Sequence, residues 1–558
     1  MRKTSIAAMV IVVAILCHGA WADPRVTLTE NGGVLVDGEP FLPVFVWAQP
    51  SSTIAMHKAL GVNTLHPGEK EESDPSRAYL DKLQAAGMMG LFGHEKLNDA
   101  TKGHPALLAW TVEHEPDMAQ KPGFTPDLSG DARVIWIEAE KPAKNTLKHS
   151  GWLGQKNAQL SGGQWLTSEK EGTGEAVFEF EVKTAGKYNL WIREFDKSWA
   201  NPTRWKIGDG EPQETPRTLR SEAVTNLGAG RGVGWTSYGA VDLPAGKNTM
   251  TIQIVPGRTL GNADKEPGAD AIWAVDVICF TTAAKYPPAK SLEPTPKRLP
   301  AVQKANRDAV KAADPDALTW NILTSGIYGG YRKLPLRYYD EFIKYTDIVS
   351  FDHYPVTGWN RPDRVPEVAL VTREYKSRMR KGQLLITIVE ASDQDLSWTA
   401  KETRGPNAAE MRAEVWSSIA AGAKGIGYFT IAFNPFRWNN LTDEIKEELK
   451  HTNGELTELT APIVLGDTDK KLTVTGDDTD DKAAAGHAIQ AVRKEHDGKT
   501  YVIAVNVTRA KVTPTFTLEA APAAARAQVW KENRRVAVAA GAFSDDFEPL
   551  AVHVYVLP

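Results

Sequence analysis

The stretch Pro105-Ala-Leu-Leu-Ala-Trp110-Thr-Val-Glu113-His114-Glu115-Pro116-Asp117 decides the fold. Its first part, Pro105–Val112, is almost wholly apolar and ends abruptly in a cluster of acidic and imidazole side chains. A run this apolar has no wet face, so it reads as a strand covered on both sides, the mark of a parallel sheet between helices. The chain before it fits that reading. Val26–Phe45 alternates, with turn signals at Asn31-Gly32-Gly33 and Asp37-Gly38, and predicts a short hairpin entering a strand. Strands are expected at Pro43–Trp47, Val62–Leu65 and Met88–Phe92, with helices around Ile54–Leu60 and over Ser76–Ala86.

The rhythm stops after Asp117 and resumes beyond a Pro-rich link (Pro287, Pro288, Pro294, Pro296, Pro300). Helices are then expected over Ala301–Ala313, Leu336–Tyr345, Pro366–Arg380, Ala408–Ala421 and Leu441–Thr460. Strands are expected at Ala317–Leu323, Ile348–Tyr354, Leu384–Glu390 and Gly425–Phe429. Four strands on each side of the interruption predict an α/β protein, a (β/α)8 barrel broken after its fourth strand. A doubly wound sheet is the alternative, but no Gly-rich phosphate turn follows the first strand.

Between the halves, Val134–Phe280 is β throughout and predicts an inserted β-sandwich or jelly roll. Leu472–Leu557 predicts a C-terminal antiparallel β-domain. At the start, Arg2 and Lys3, the apolar run Ile6–Leu16 and Ala20-Trp21-Ala22 form a signal peptide with cleavage expected after Ala22. The expected parts are therefore a signal peptide at 1–22, a barrel at 23–131 and 286–462, the inserted sandwich at 132–285 and the C-terminal sandwich at 463–558. The protein is expected to be exported, to the periplasm or beyond the cell. Cleavage would leave Cys279 as the sole cysteine, with no internal disulfide.

Composition narrows the function. A formal net charge of −5 gives no basic field for nucleic acid or anionic lipid. No later stretch is apolar and long enough for a membrane span. There is no H-E-x-x-H, no G-x-S-x-G and no nucleotide motif. The 17 Trp residues provide flat apolar faces with a polar edge, suited to sugar rings or to core packing.

Barrel enzymes keep their chemistry at the C-terminal ends of the strands. That rule points to His94 and Glu95 after the third strand, and to Glu113, His114 and Glu115 after the fourth. It adds Asp352, His353 and Tyr354 after the sixth, Glu390 after the seventh, and Phe433 and Trp438 beyond the eighth. Two carboxylates facing each other across one mouth suit glycoside hydrolysis, one protonating the leaving oxygen and the other attacking or activating water. Taken alone, Glu115 before Pro116 also fits a helix first turn, and Glu390 an ion-pair partner. Glu113, two residues before Glu115, is either the acid itself or a charge beside it.

The run ending Glu113-His114-Glu115-Pro116 resembles the fourth strand of clan A glycoside hydrolases, which ends in Asn-Glu-Pro. Asp352-His353-Tyr354 is similar to their sixth strand, and Leu385-Ile-Thr-Ile-Val-Glu390 to their seventh. Ala420–Tyr428 is similar to the turn into their eighth strand. The resemblance implies a retaining double displacement on a β-linked polysaccharide or oligosaccharide, with Glu115 as acid/base, Glu390 as nucleophile and Tyr354 against Glu390. From the strand ends, His94, Glu113, His114, His353, Tyr354 and Trp438 are the candidate substrate contacts, and no cofactor is expected for catalysis. His114 stands where that family carries Asn.

In the insert, Ile137-Glu138-Ala139-Glu140 and Ala274-Val275-Asp276-Val277-Ile278 resemble the first and last strands of jelly-roll carbohydrate-binding modules of families 6 and 35. The resemblance implies a structural Ca²⁺ held by Glu138, Glu140 and Asp276. Trp199, Trp205, Trp235 and Tyr238 are the candidate sugar platforms. Two other readings stay open: a non-catalytic carbohydrate-binding protein on a barrel scaffold, and an inverting glycosidase.

Overall fold

The computed structural model describes residues 25–558 apart from 69–75, 121–122, 150, 152, 170–173, 197–199, 216–220, 229, 256–270, 291, 330–331, 395–403 and 522–525. The expected signal peptide lies outside the described residues. The described chain divides into two compact units, one comprising the chain up to Met118 with Pro296–Pro558, the other Ala119–Thr295. Among the described residues no helix is long and apolar enough to cross a membrane.

The first unit contains a closed barrel of eight parallel strands. They are β1 (Val44–Gln49), β2 (Thr64–Pro67), β3 (Met89–Gly93), β4 (Leu107–His114), β5 (Leu318–Thr324), β6 (Ile348–Asp352), β7 (Leu384–Glu390) and β8 (Ile426–Phe429). Each pairs with its sequence neighbour, β4 with β5 across the interruption (Leu318 opposite Ala109), and β8 closes onto β1 (Ile426 opposite Val44). The barrel expected from the sequence is thus present, with strand ends moved by a few residues. β4 starts at Leu107, beyond Pro105, which has no N–H to give to a neighbouring strand.

Period-two alternation makes the barrel a packed core. Phe45, Leu91, Leu108, Trp320, Ile322, Ile348, Ile386 and Ile388 share one buried cluster. Their neighbours Val44, Val46, Val112, Val389, Ile426 and Tyr428 join the cluster formed with the surrounding helices. Phe45 meets Trp320 edge-on at 5.3 Å. At the β8–β1 seam a Cβ on Gly427 would lie 2.2 Å from the Phe45 ring, so only glycine lets the large ring fill the interior there. The N-terminal antiparallel sheet, Val26–Leu28 with Val34–Val36 and Glu39–Phe41, packs on the same inner cluster through Val34.

Also in this unit, the C-terminal domain has two antiparallel sheets of three and five strands. Its Ile503, Val505 and Val554 share a cluster with Trp416 and Ile419 of the helix Ala408–Ala420. Arg509 pairs with Glu410, the capping-box residue of that helix.

The second unit carries two antiparallel sheets of five and six strands. Phe178, Phe180, Leu190, Ile192, Met250 and Ile252 form its core. Its first strand, Val134–Glu138, lies against the late strand Trp273–Thr281, with Glu138 opposite Val277. This is the β-sandwich expected of the insert, within a unit that extends to 119 and 295 rather than 132 and 285.

Candidate active site

β4 delivers Glu115 to the C-terminal mouth through a backbone exception. Glu115 has φ 47°, a left-handed conformation that non-glycine residues rarely adopt, and it stands directly before Pro116. Its amide donates to the Ile322 carbonyl at 2.8 Å, which fixes the turn. The side chain, half-buried, shares a hydrogen bond with Asp352 at the end of β6. Burial first, then the Glu115 charge and this hydrogen bond, hold the Asp352 carboxyl well above the usual carboxylate range. Asp352 is therefore the proton donor of this hydrogen bond and Glu115 the acceptor. Non-glycine residues in sparsely populated backbone regions cluster at functional sites, because the surroundings must hold them there.

Glu390 ends β7 but does not join this pair. It is 0 % exposed. Its Oε1 accepts from the Val356 amide at 2.6 Å and its Oε2 from the Thr357 amide at 2.5 Å. Glu414, on the helix Ala408–Ala420, hydrogen-bonds to it as well. Burial pushes Glu390 up to about 7 despite the two amides, and holds Glu414 well above its usual range. The structure pairs Glu115 with Asp352 and Glu390 with Glu414, because the loop after β6 folds back and caps Glu390. Tyr354 borders both pairs. Burial raises its hydroxyl far above the usual value, and the charges of Asp352, Glu115 and Glu390 add to that.

On the β1–β4 side of the mouth lies a cavity of about 470 Å³. Trp47 forms its floor, stacked on His66 (centroids 3.8 Å) and on the exposed His114 (4.7 Å). His94 lines it, with Nδ1 3.1 Å from the Thr111 carbonyl. Glu113 lines it too, but turns toward the helix Pro300–Ala313. Its Oε1 accepts from Asn306 Nδ2 at 3.2 Å and its Oε2 lies 3.4 Å from Arg298 Nε. Glu113 therefore anchors that wall, and burial raises its pKa more than Arg298 lowers it.

Other expected contacts fall elsewhere. His353 is 1 % exposed, edge-on to Trp359 at 4.8 Å, and burial pushes its imidazole down to about 3. It is a neutral core group and no substrate contact. Trp438 lies across Gly68, where a Cβ would come within 2.6 Å of its ring. Its carbonyl accepts from Gln49 Nε2 and Thr430 Oγ1 at 3.2 and 3.0 Å, so it pins the segment after β8. The sequence reading missed the pairing of Asp352, whose parity with Ile348 and Ser350 was the available signal, and also His66, Arg298 and Asp117. Asp117 is 2 % exposed and accepts from the Thr324 amide at 3.0 Å and from its hydroxyl at 2.7 Å. Burial pushes Asp117 up to about 7.

Asp117 and Glu390 are both more protonated folded than unfolded. Their contribution to stability is complete below the unfolded values near 4 and is lost as pH rises through about 7. Urea unfolding of the first unit is thus expected at a higher midpoint at pH 5 than at pH 8, with a smaller difference in Asp117→Asn.

In the second unit, Trp205, Trp235 and Tyr238 are 3, 1 and 6 % exposed. They are core groups and not sugar platforms. The Tyr238 hydroxyl donates to Glu194 at 3.1 Å, and Trp235 stacks on Tyr286 at 4.7 Å. Trp199 lies outside the described residues. Among the described residues no group of three or more His, Cys, Asp or Glu side chains is placed to hold a metal ion. Glu138 and Glu140 each keep a buried oxygen without a hydrogen-bond partner, but Asp276 is taken by the buried Arg193 and by the Ser161 amide at 2.9 Å. As a set the three carboxylates do not fit a Ca²⁺ cage, since the Arg193 guanidinium already supplies positive charge there. Removing it in Arg193→Ala leaves Asp276 buried and unpaired. Urea unfolding should show a loss of about 3–5 kcal/mol, and chelator should leave the wild-type midpoint unchanged.

Residues 297–460, the second half of the barrel, match a family model described as beta-galactosidase, glycoside hydrolase family 42. The match supports the reading of the barrel as that of an O-glycosyl hydrolase. No curated protein matches the chain. Among solved structures, an alpha-amylase from Anoxybacillus is 14% identical, with 47% of this chain and 56% of that chain covered and a TM-score of 0.32. A beta-galactosidase from Bacillus circulans sp. alkalophilus is 10% identical, with 46% and 66% covered and a TM-score of 0.32. The family 35 carbohydrate-binding module of Abf62 from Cellvibrio japonicus is 11% identical, with 28% and 100% covered and a TM-score of 0.19. The chain thus spans little more than half the length of the amylase, and its fold rests on the strand pairing described above.

Proposed function

We propose that this chain is an exported glycoside hydrolase that cleaves a β-linked polysaccharide or oligosaccharide at the C-terminal mouth of its barrel. The observation that carries this reading is the hydrogen bond between Glu115 and the protonated Asp352 at the strand ends, with His114, next to Glu115 in the chain, lining a cavity of about 470 Å³. Cleavage of a glycosidic bond needs a proton on the leaving oxygen as the C–O bond breaks. Glu115 passes that proton to the leaving oxygen, and Asp352, whose carboxyl holds it, is the donor behind Glu115. The family match, whose description names a beta-galactosidase, supports a glycoside as substrate. Export is supported by the n-region, apolar run and Ala20-Trp21-Ala22.

A second reading keeps Glu390 as nucleophile. It is favoured by Tyr354, which borders both carboxyl pairs. It requires the Val356 and Thr357 amides to release the Glu390 carboxylate.

The test is a glycan-panel screen of the wild-type chain beside Glu115→Gln and Glu390→Ala. Release of reducing sugar that Glu115→Gln abolishes supports hydrolysis. Binding without any release across the panel would leave a carbohydrate-binding scaffold instead. The anomer formed first, read by proton NMR, separates retention through Glu390 from inversion by water.

A further inference from the structure

We propose that the cavity on the β1–β4 side of the mouth takes an anionic sugar, one bearing a carboxylate or a sulfate ester. This deepens the hydrolase reading and rests on it. A volume of about 470 Å³ is suited to one or two sugar rings. Lys96, Lys297 and Arg298 line it, against Glu95 and Glu113. Glu113 is already engaged by Arg298 and Asn306. Glu95 lies on the exposed rim and is 3.8 Å from His94 Nδ1.

Lys297 forms no ion pair with another described residue, and Arg298, 58 % exposed, meets Glu113 through Nε. Both precede the helix Pro300–Ala313, whose N-terminal end adds positive potential, and whose Val302 and Asn306 also line the cavity. Two lining groups that are nine-tenths buried, His66 Nδ1 and Thr111 Oγ1, have no hydrogen-bond partner. Buried polar atoms are seldom left in that state. Burial pushes His66 down to about 3, so it is a neutral imidazole and adds no competing charge to the cavity. The arrangement is that of a sugar held in the cavity with its anionic group toward Lys297 and Arg298.

The test is calorimetric binding to the full wild-type chain of galacturonate, galactose 6-sulfate and galactose, at low and high salt. At least one anionic sugar is expected to bind about tenfold or more tightly than galactose, with the advantage shrinking in salt. The double variant Lys297→Gln/Arg298→Gln is expected to lose that advantage while its circular dichroism stays at the wild-type value and its binding of galactose is unchanged. Preference for galacturonate alone assigns a carboxylate, and for the sulfate alone a sulfate ester. Equal binding of all three, binding of none, or an advantage that survives in the double variant overturns the proposal. Hydrolysis in the glycan screen is scored independently. A chain that cleaves neutral glycans but shows no anionic preference keeps the hydrolase reading and loses this one.

Discussion

Glu115→Gln is expected to lower kcat on any cleaved glycan by about 10²–10⁴-fold, the range of a lost general acid, with the fold intact. The side chain is half-buried at the mouth, and its one described side-chain hydrogen bond is the one it shares with Asp352. Gln preserves its size and its ability to hydrogen-bond but cannot give up a proton. Asp352→Asn is expected to act differently. It removes the buried carboxyl that holds its proton to high pH and donates it to Glu115. The alkaline limb of kcat/KM is then expected to move toward acid by about one pH unit or more. A pH–rate series on a cleaved glycan reads both effects.

Glu390→Ala is expected to produce the largest loss of stability. It leaves the buried amides of Val356 and Thr357 without acceptors and strands Glu414, which is 0 % exposed, without its hydrogen-bond partner. Each orphaned buried donor costs about 1–3 kcal/mol, so a total of about 3–5 kcal/mol follows. Urea unfolding at pH 7 measures it. The outcome separates two roles for one side chain. A carboxylate that caps a loop lowers the unfolding midpoint when removed, and azide does not restore activity. A nucleophile leaves the midpoint nearly unchanged, and azide restores turnover with an inverted product.

The barrel was legible because each of its strands is a short apolar run bounded by turn residues, and because Gly427 and Trp320 sit in those runs. Glu115 was legible for the same reason, standing where the apolar run of β4 ends. The pairing of carboxyls was not. Strand parity places Asp352 and Glu390 on the inward side, but whether a loop amide reaches back to cap one of them depends on the path of residues 354–357, which no period encodes. Trp205, Trp235 and Tyr238 sit near Gly-rich sequence that looks like loop, yet strand pairing buries all three. Arg193 reads as one charged residue in a strand. Only the neighbouring strand Trp273–Thr281, which sets Arg193 opposite Val277, brings Asp276 beside it and shows it as the internal cation of the sandwich.

The central claim is that Glu115 and Asp352 act as one proton-holding unit. A double-mutant cycle over Glu115→Gln and Asp352→Asn, in kcat/KM near pH 7 on a cleaved glycan, tests it most directly. The account predicts that the double variant is about as slow as Glu115→Gln alone, since Asp352 acts only through the Glu115 carboxyl. Losses that multiply, or an Asp352→Asn enzyme as fast as wild type at every pH, would contradict it.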